Sequence, residues 1–169
     1  AVATLDGNQN WAHFGTSVAN AGDINADGYD DIVVGFELFD GGQTDEGKIM
    51  IYHGNATGIN TIVAAQIEGN QEAGSLGYDV AAAGDVNNDG YDDIIAGAYR
   101  YNNGEVDEGA AFIFHGTSSG INTTPAIVLD NDLPVASSGL SVRGVGDCNL
   151  AGCDAAMRAS TLFTNGCRC

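Results

Sequence analysis

The chain has 169 residues, 44% of them hydrophobic, and 23 acids against 5 Lys and Arg, for a formal net charge of −18. That balance excludes nucleic acid as a partner, because such partners need basic surface, and no run of about 18 apolar residues is present to span a membrane. The length is enough for one core, and the absence of a positively charged apolar leader at residue 1 is what a mature secreted chain shows.

In chain order, Ala3-Thr4-Leu5-Asp6-Gly7-Asn8 matches Ala65-Gln66-Ile67-Glu68-Gly69-Asn70, 62 residues later. Residues 1–13 are therefore expected to be the outer strand of a preceding unit plus a linker. A small, apolar strand is expected over Ser17–Ala21. It runs into Asp23-Ile24-Asn25-Ala26-Asp27-Gly28-Tyr29-Asp30-Asp31, which has the spacing of a calcium loop. Oxygen-bearing side chains stand at positions 1, 3 and 5 (Asp23, Asn25, Asp27), a Gly at 6 allows the sharp turn, the Tyr29 carbonyl falls at 7 and Asp31 at 9. An EF-hand would carry a bidentate Glu at position 12 and flanking helices, but position 12 here is Val34. The residues after the loop, Asp31–Phe36, are β-branched and closed by Gly and Phe, so the loop is expected to join two strands.

A polar Gly-rich hairpin follows at Asp40–Gly47, then a third strand over Lys48–His53. Its alternation of Ile49 and Ile51 with Met50 and Tyr52 is that of a half-buried strand. The sequon Asn55-Ala56-Thr57 is a glycosylation candidate, and a fourth strand is expected over Thr61–Glu68.

The same unit then repeats. Residues 14–60 and 76–122 are identical at 24 of 47 positions. The second acidic loop offers Asp85, Asn87, Asp89, Gly90, the Tyr91 carbonyl and Asp93, with Ala96 at position 12. Asp, Asn and Gly also make ordinary turns, but two copies with the same oxygen ligands at the same spacing favour metal binding. Two calcium sites are expected, and two divalent ions would bring the net charge to −14. The histidines His53 and His115 are repeat mates, which argues for a structural rather than a catalytic role. His13, beside Trp11 and Phe14, could pack or bind a ligand. The pairs Asp45-Glu46 and Asp107-Glu108 recur in the hairpins and are expected to be solvated turn residues. Asn122-Thr123-Thr124 is the second glycosylation candidate.

Four strands repeated at this spacing suggest propeller blades. Phe14-Gly15 and Leu76-Gly77, Gly35-Phe36-Glu37 and Gly97-Ala98-Tyr99, and the acidic loop between them resemble the FG-GAP repeats of integrin α-subunit propellers and of secreted bacterial proteins. The resemblance implies an all-β fold of four-stranded antiparallel blades, with repeats at 14–75 and 76–137. A degenerate third repeat follows at 138–154, where Ala151 and Ala155 replace the Asp of loop positions 5 and 9, and then a tail at 155–169. About two and a half blades cannot close a propeller. Other chains, or more of the same chain, are expected to complete it, with intermolecular strand contacts at open edges.

All four cysteines, Cys148, Cys153, Cys167 and Cys169, fall in the last 22 residues. They are disulfide candidates with three pairings, and a four-cysteine zinc site is the rival. No nucleophile elbow, phosphate loop or dinucleotide fingerprint occurs. The expected function is non-enzymatic: an extracellular or cell-surface calcium-stabilised module for adhesion or recognition of a protein or glycan. The alternatives are a filament or surface-layer subunit that binds other copies of itself, and a non-catalytic part of a secreted polysaccharide-active enzyme.

Overall fold

The computed structural model describes residues 3–130, 134–147, 154–158 and 161–163, with side chains up to residue 144. Every regular element among them is a strand. In the first repeat β1 (Phe14–Gly22), β2 (Asp31–Phe36), β3 (Lys48–Tyr52) and β6 (Ala65–Glu68) form an antiparallel sheet in that order, and β4 (Gly54–Asn55) with β5 (Gly58–Ile59) make a small hairpin between β3 and β6.

The second repeat reproduces this unit. Here β7 (Leu76–Gly84), β8 (Asp93–Ala98), β9 (Ala110–Phe114) and β12 (Ile127–Leu129) form the sheet, and β10 (Gly116–Thr117) with β11 (Gly120–Ile121) the hairpin. A third sheet contains β13 (Val142–Asp147), β14 (Asp154–Arg158) and β15 (Thr161–Phe163). Its strands thus continue past Asp154, where resemblance to the repeat ends.

The strands differ from expectation in three respects. The first strand is longer than Ser17–Ala21, beginning at Phe14, and carries a register irregularity between Phe14 and Val18. The fourth strand is shorter than Thr61–Glu68, because Asn60 turns the chain: its Oδ1 accepts the Ile62 N–H at 3.0 Å and removes residues 61–63 from the ladder. Residues 3–13 carry no strand. They lie against the outer face of the first sheet, where Leu5 and Ala12 join Val34, Phe36, Met50 and Tyr52.

Packing is face to face. Val33, Ile49 and Ile51 of the first sheet meet Val80, Ile94, Ala96 and Phe112 of the second in the largest apolar cluster. On the opposite face of the second sheet, Ile95, Ala111 and Ile113 pack with Val142. The central strands are therefore buried on both sides. All five residues of β3 are buried, which corrects the half-buried reading: its alternation separates two different apolar neighbours rather than core from water. The sheets approach so closely at Gly35 that a Cβ there would collide with the Gly77 backbone, and one at Gly97 with that of Gly139. Only glycine permits that contact at these two central-strand positions.

Candidate metal centre

Each acidic loop connects the inner strand of a sheet to the next strand. In the first, Asp23 faces back into the loop and accepts the N–H of Asp27 at 3.0 Å and of Gly28 at 2.8 Å. Asn25 Oδ1 also accepts the Asp27 N–H, at 2.9 Å, and Asp27 accepts the Tyr29 N–H at 3.0 Å. Asp31, at the start of β2, is fully buried. Its two oxygens accept the N–H of Ile24 at 3.1 Å and of Gly54 at 2.8 Å.

The second loop repeats this wiring. Asp85 accepts from Asp89 and Gly90, Asn87 from Asp89, Asp89 from Tyr91, and buried Asp93 from Val86 and Gly116. Both loops turn through left-handed residues, Ala26 with Gly28 and Asn88 with Gly90. Asn tolerates that conformation and Gly adopts it freely.

The loops thus gather their side-chain oxygens inward but bind them to their own N–H groups. Among the described residues no three His, Cys, Asp or Glu side chains converge into a metal cage. The electrostatics show what the gathering does. Burial pushes the Asp93 carboxyl up to about 7, opposed by the N–H groups of Gly116 and Val86 and reinforced by Asp89 and Asp85. Burial also raises Asp31, opposed by the Gly54 N–H, His53 and the Ile24 N–H, with Asp27 adding to the rise. Carboxylates close enough to disfavour one another's charge fit a hard divalent cation.

The two loops are joined. Asp92, at position 8 of the second loop, accepts the N–H of Asp23, position 1 of the first, at 2.7 Å, and the Asp92 N–H returns to the Asp23 carbonyl at 3.2 Å. Thr117 adds a bond from its N–H to the Ile24 carbonyl at 3.1 Å. Sequence reasoning passed over Asp92 because it is not a position that ligates in such loops.

The hairpin acids are a correction. Glu46 and Glu108 are fully buried, not solvated. Glu46 Oε1 accepts the N–H of Gly41 and Gly42, both at 2.8 Å, and Oε2 accepts that of Asn70 at 2.9 Å, so one carboxylate pins the hairpin to the segment leading into the second repeat. Two hairpin glycines before a recurring Glu were the available signal. Gln9 and Gln71 make a second repeated clasp, each exchanging side-chain bonds with a hairpin backbone 31 residues on, Asp40 and Asn102. At the inner strands Ser17 accepts the Val80 N–H at 3.1 Å and Asp79 accepts that of Val142 at 2.9 Å, the same link one repeat later.

Other candidates separate from the loops. His53 lies beside the first loop, its Nδ1 3.4 Å from the Asn25 amide. His13 pairs with Glu37 at 2.9 Å. Both sequons are exposed: Asn55 Oδ1 accepts the Thr57 N–H and hydroxyl at 2.8 and 2.6 Å, and Asn122 Oδ1 accepts the Thr124 N–H at 3.1 Å. Cys148, Cys153, Cys167, Cys169 and Ala151 lie outside the described residues. No helix among the described residues is long and apolar enough to cross a membrane.

Four-stranded antiparallel sheets packed face to face, each with an acidic loop after its inner strand, define the blade repeat of β-propellers, although the described sheets do not close a ring. The family model for the FG-GAP repeat matches residues 14–52 and 76–114. Integrin alpha-V of Gallus gallus is 38% identical over 102 residues, covering 58% of this chain and 10% of that protein. Integrin alpha-5 of Xenopus laevis is 34% identical over 149 residues, 83% of this chain and 14% of the relative. Integrin alpha-6 of Homo sapiens is 36% identical over 141 residues, 83% and 12% respectively. The chain belongs to the integrin-like FG-GAP repeat family. It spans about a tenth of the length of these relatives.

Proposed function

We propose that this chain is an extracellular, calcium-stabilised FG-GAP module that serves adhesion or recognition and catalyses no reaction. The observation that carries the metal part is the duplicated loop: ten positions, Asp23, Asn25, Asp27, Tyr29 and Asp31 with Asp85, Asn87, Asp89, Tyr91 and Asp93, repeat in type, spacing and hydrogen bonding. Bound there, calcium supplies positive charge to oxygens that otherwise repel one another. The side chains of Asp23, Asn25, Asp27 and Asp31, with the Tyr29 carbonyl, would hold it in one loop, and their counterparts in the other. The adhesion and cell-surface part rests on the similarity to integrin alpha subunits and on a surface acidic enough to stay soluble outside the cell. A protein or a glycan is the ligand class.

Calorimetric titration of the chelated chain with calcium tests the metal reading. Two sites per chain are expected, and none after Asp27→Ala and Asp89→Ala are combined. A titration without heat or a melting temperature indifferent to chelation refutes it. A glycan array and binding to extracellular-matrix proteins then separate the ligand classes.

One observation favours assembly as a second reading. Val18 is 58% exposed opposite Val34, on the side of the first sheet that has no neighbouring blade among the described residues, so another blade, from the same chain or from a second copy, would cover it. Light scattering after size exclusion tests this: a monomer at all concentrations argues against self-assembly.

A further inference from the structure

The two repeats differ at one place where the first is filled and the second is hollow. In the first, Phe36 pairs with Lys48 across β2 and β3. Lys48 is buried, and its ammonium lies 3.4 Å from the centroid of the Phe39 ring and 5.3 Å from that of Phe36. One repeat later the same register pairs Ala98 with Ala110, and Tyr101 stands where Phe39 stood. A methyl group at 110 cannot reach Tyr101 as Lys48 reaches Phe39. Tyr101 instead borders a cavity of about 190 Å³ between the two repeats, whose apolar walls include Ala98, Phe112, Phe114 and Ile67. At its mouth Glu68, Asn70 and Thr123 line an adjoining polar groove.

We propose that this cavity receives a lysine side chain from a basic protein partner. Its size suits one side chain, since pockets for drug-sized ligands are about 300 to 1,000 Å³. The apolar walls match the methylene stem of lysine, which buries readily while its head stays polar, and the Tyr101 ring offers a π-face to the ammonium. Charge selects the occupant. A chain of net charge −18 attracts a basic partner and repels an acidic one. The first repeat supplies the precedent within the same molecule, a buried lysine seated on the equivalent ring.

The test is an NMR titration of the full chain with the peptide acetyl-Gly-Lys-Gly-amide and with its norleucine analogue, which keeps most of the stem and lacks the charge. The lysine peptide should shift the amides of Tyr101 and Thr123 saturably and bind about fivefold tighter than the analogue, the factor that a partly exposed cation–π contact of about 1 kcal/mol supplies. Ala110→Lys, which provides the side chain from within, should abolish those shifts. Tyr101→Leu, which keeps an apolar wall and removes the ring, should erase the preference for lysine even if Ala110→Lys fails to fold. Equal binding of the two peptides identifies a merely apolar cavity, and no saturable shift with either means no site; both outcomes overturn the proposal.

Discussion

Val18 and Val80 occupy the same position in the two repeats, yet the first is 58% exposed and the second 3%. The inner strand β7 lies between two sheets, whereas β1 has a neighbour on one side only. Sequence identity over the repeat therefore does not carry equal energetic weight: the second repeat is the keystone of the described structure. The acidic loops show the same inequality. Burial raises both acids, but Asp31 has His53 beside it to oppose the rise, whereas Asp93 is pushed up to about 7 with Asp89 and Asp85 reinforcing it.

Removing calcium tests that inequality most severely. At free calcium a thousandfold above the dissociation constant, each proposed site would contribute about 4 kcal/mol by mass action. Chelation should lower the melting temperature sharply, and Asp89→Ala should reproduce more of the loss than Asp27→Ala. Equal losses would remove the asymmetry argued from Asp93. The pH dependence has a definite sign. The folded value of about 7 lies above the reference 3.8, so between these limits the metal-free folded chain holds a proton that the unfolded chain releases. The resulting stabilisation is complete at the acid end and is lost as pH rises through about 7. Calcium requires the ionised carboxylate, so its added stabilisation should grow over the same range. Thermal melts at about pH 5 and about pH 8, with calcium and with chelator, should move in opposite directions; parallel movement would contradict the assignment.

The hairpins offer the next comparison. Glu46 accepts N–H groups on both oxygens, and its repeat mate Glu108 accepts those of Asn103 and Glu105 on Oε1. A glutamine can turn its oxygen toward one set of donors but not two. Glu46→Gln should therefore cost about 2 to 3 kcal/mol, the penalty for a buried polar group left facing a like group. Denaturant titration would show it, and no measurable cost would contradict it. Smaller still is the inner-strand pair: Val80→Ala should cost about 2 kcal/mol as a buried truncation, and Val18→Ala no more than about 0.5 kcal/mol. A large loss at Val18 would reveal that another blade covers it in solution.

How far the sequence led depended on periodicity. The 62-residue frame located each blade, and the Asp, Asn and Gly of the loops located their turns, because those features are local and repeat. The burial of Glu46 was not legible. Its partners are backbone N–H groups at Gly41, Gly42 and Asn70, and no side-chain pattern advertises a backbone donor. The double burial of β3 was missed for a related reason: alternation of apolar residues on both faces reads like one core face until the neighbouring sheets are known. Thr61 to Val63 read as strand by composition, but one hydrogen bond from the Ile62 N–H to the Asn60 side chain takes them out of it.

Asp92 gives the finest test, because it joins the loops without belonging to the proposed ligand set of either. Its carboxylate holds the Asp23 N–H at 2.7 Å, and the Thr117 N–H to Ile24 carbonyl bond lies alongside. Ordering one loop therefore fixes part of the backbone of the other, and the entropy of that ordering is shared between them. In the native chain the second calcium ion should bind more tightly than the first. Asp92→Asn keeps an oxygen acceptor and removes the charge that strengthens the bond, so its stability cost should be only about 1 kcal/mol. The informative quantity is the spacing of the two binding constants, which should fall back toward independent sites in the variant. Independent binding in the native chain would mean that the repeats touch at their loops without communicating, and that each blade holds its metal alone.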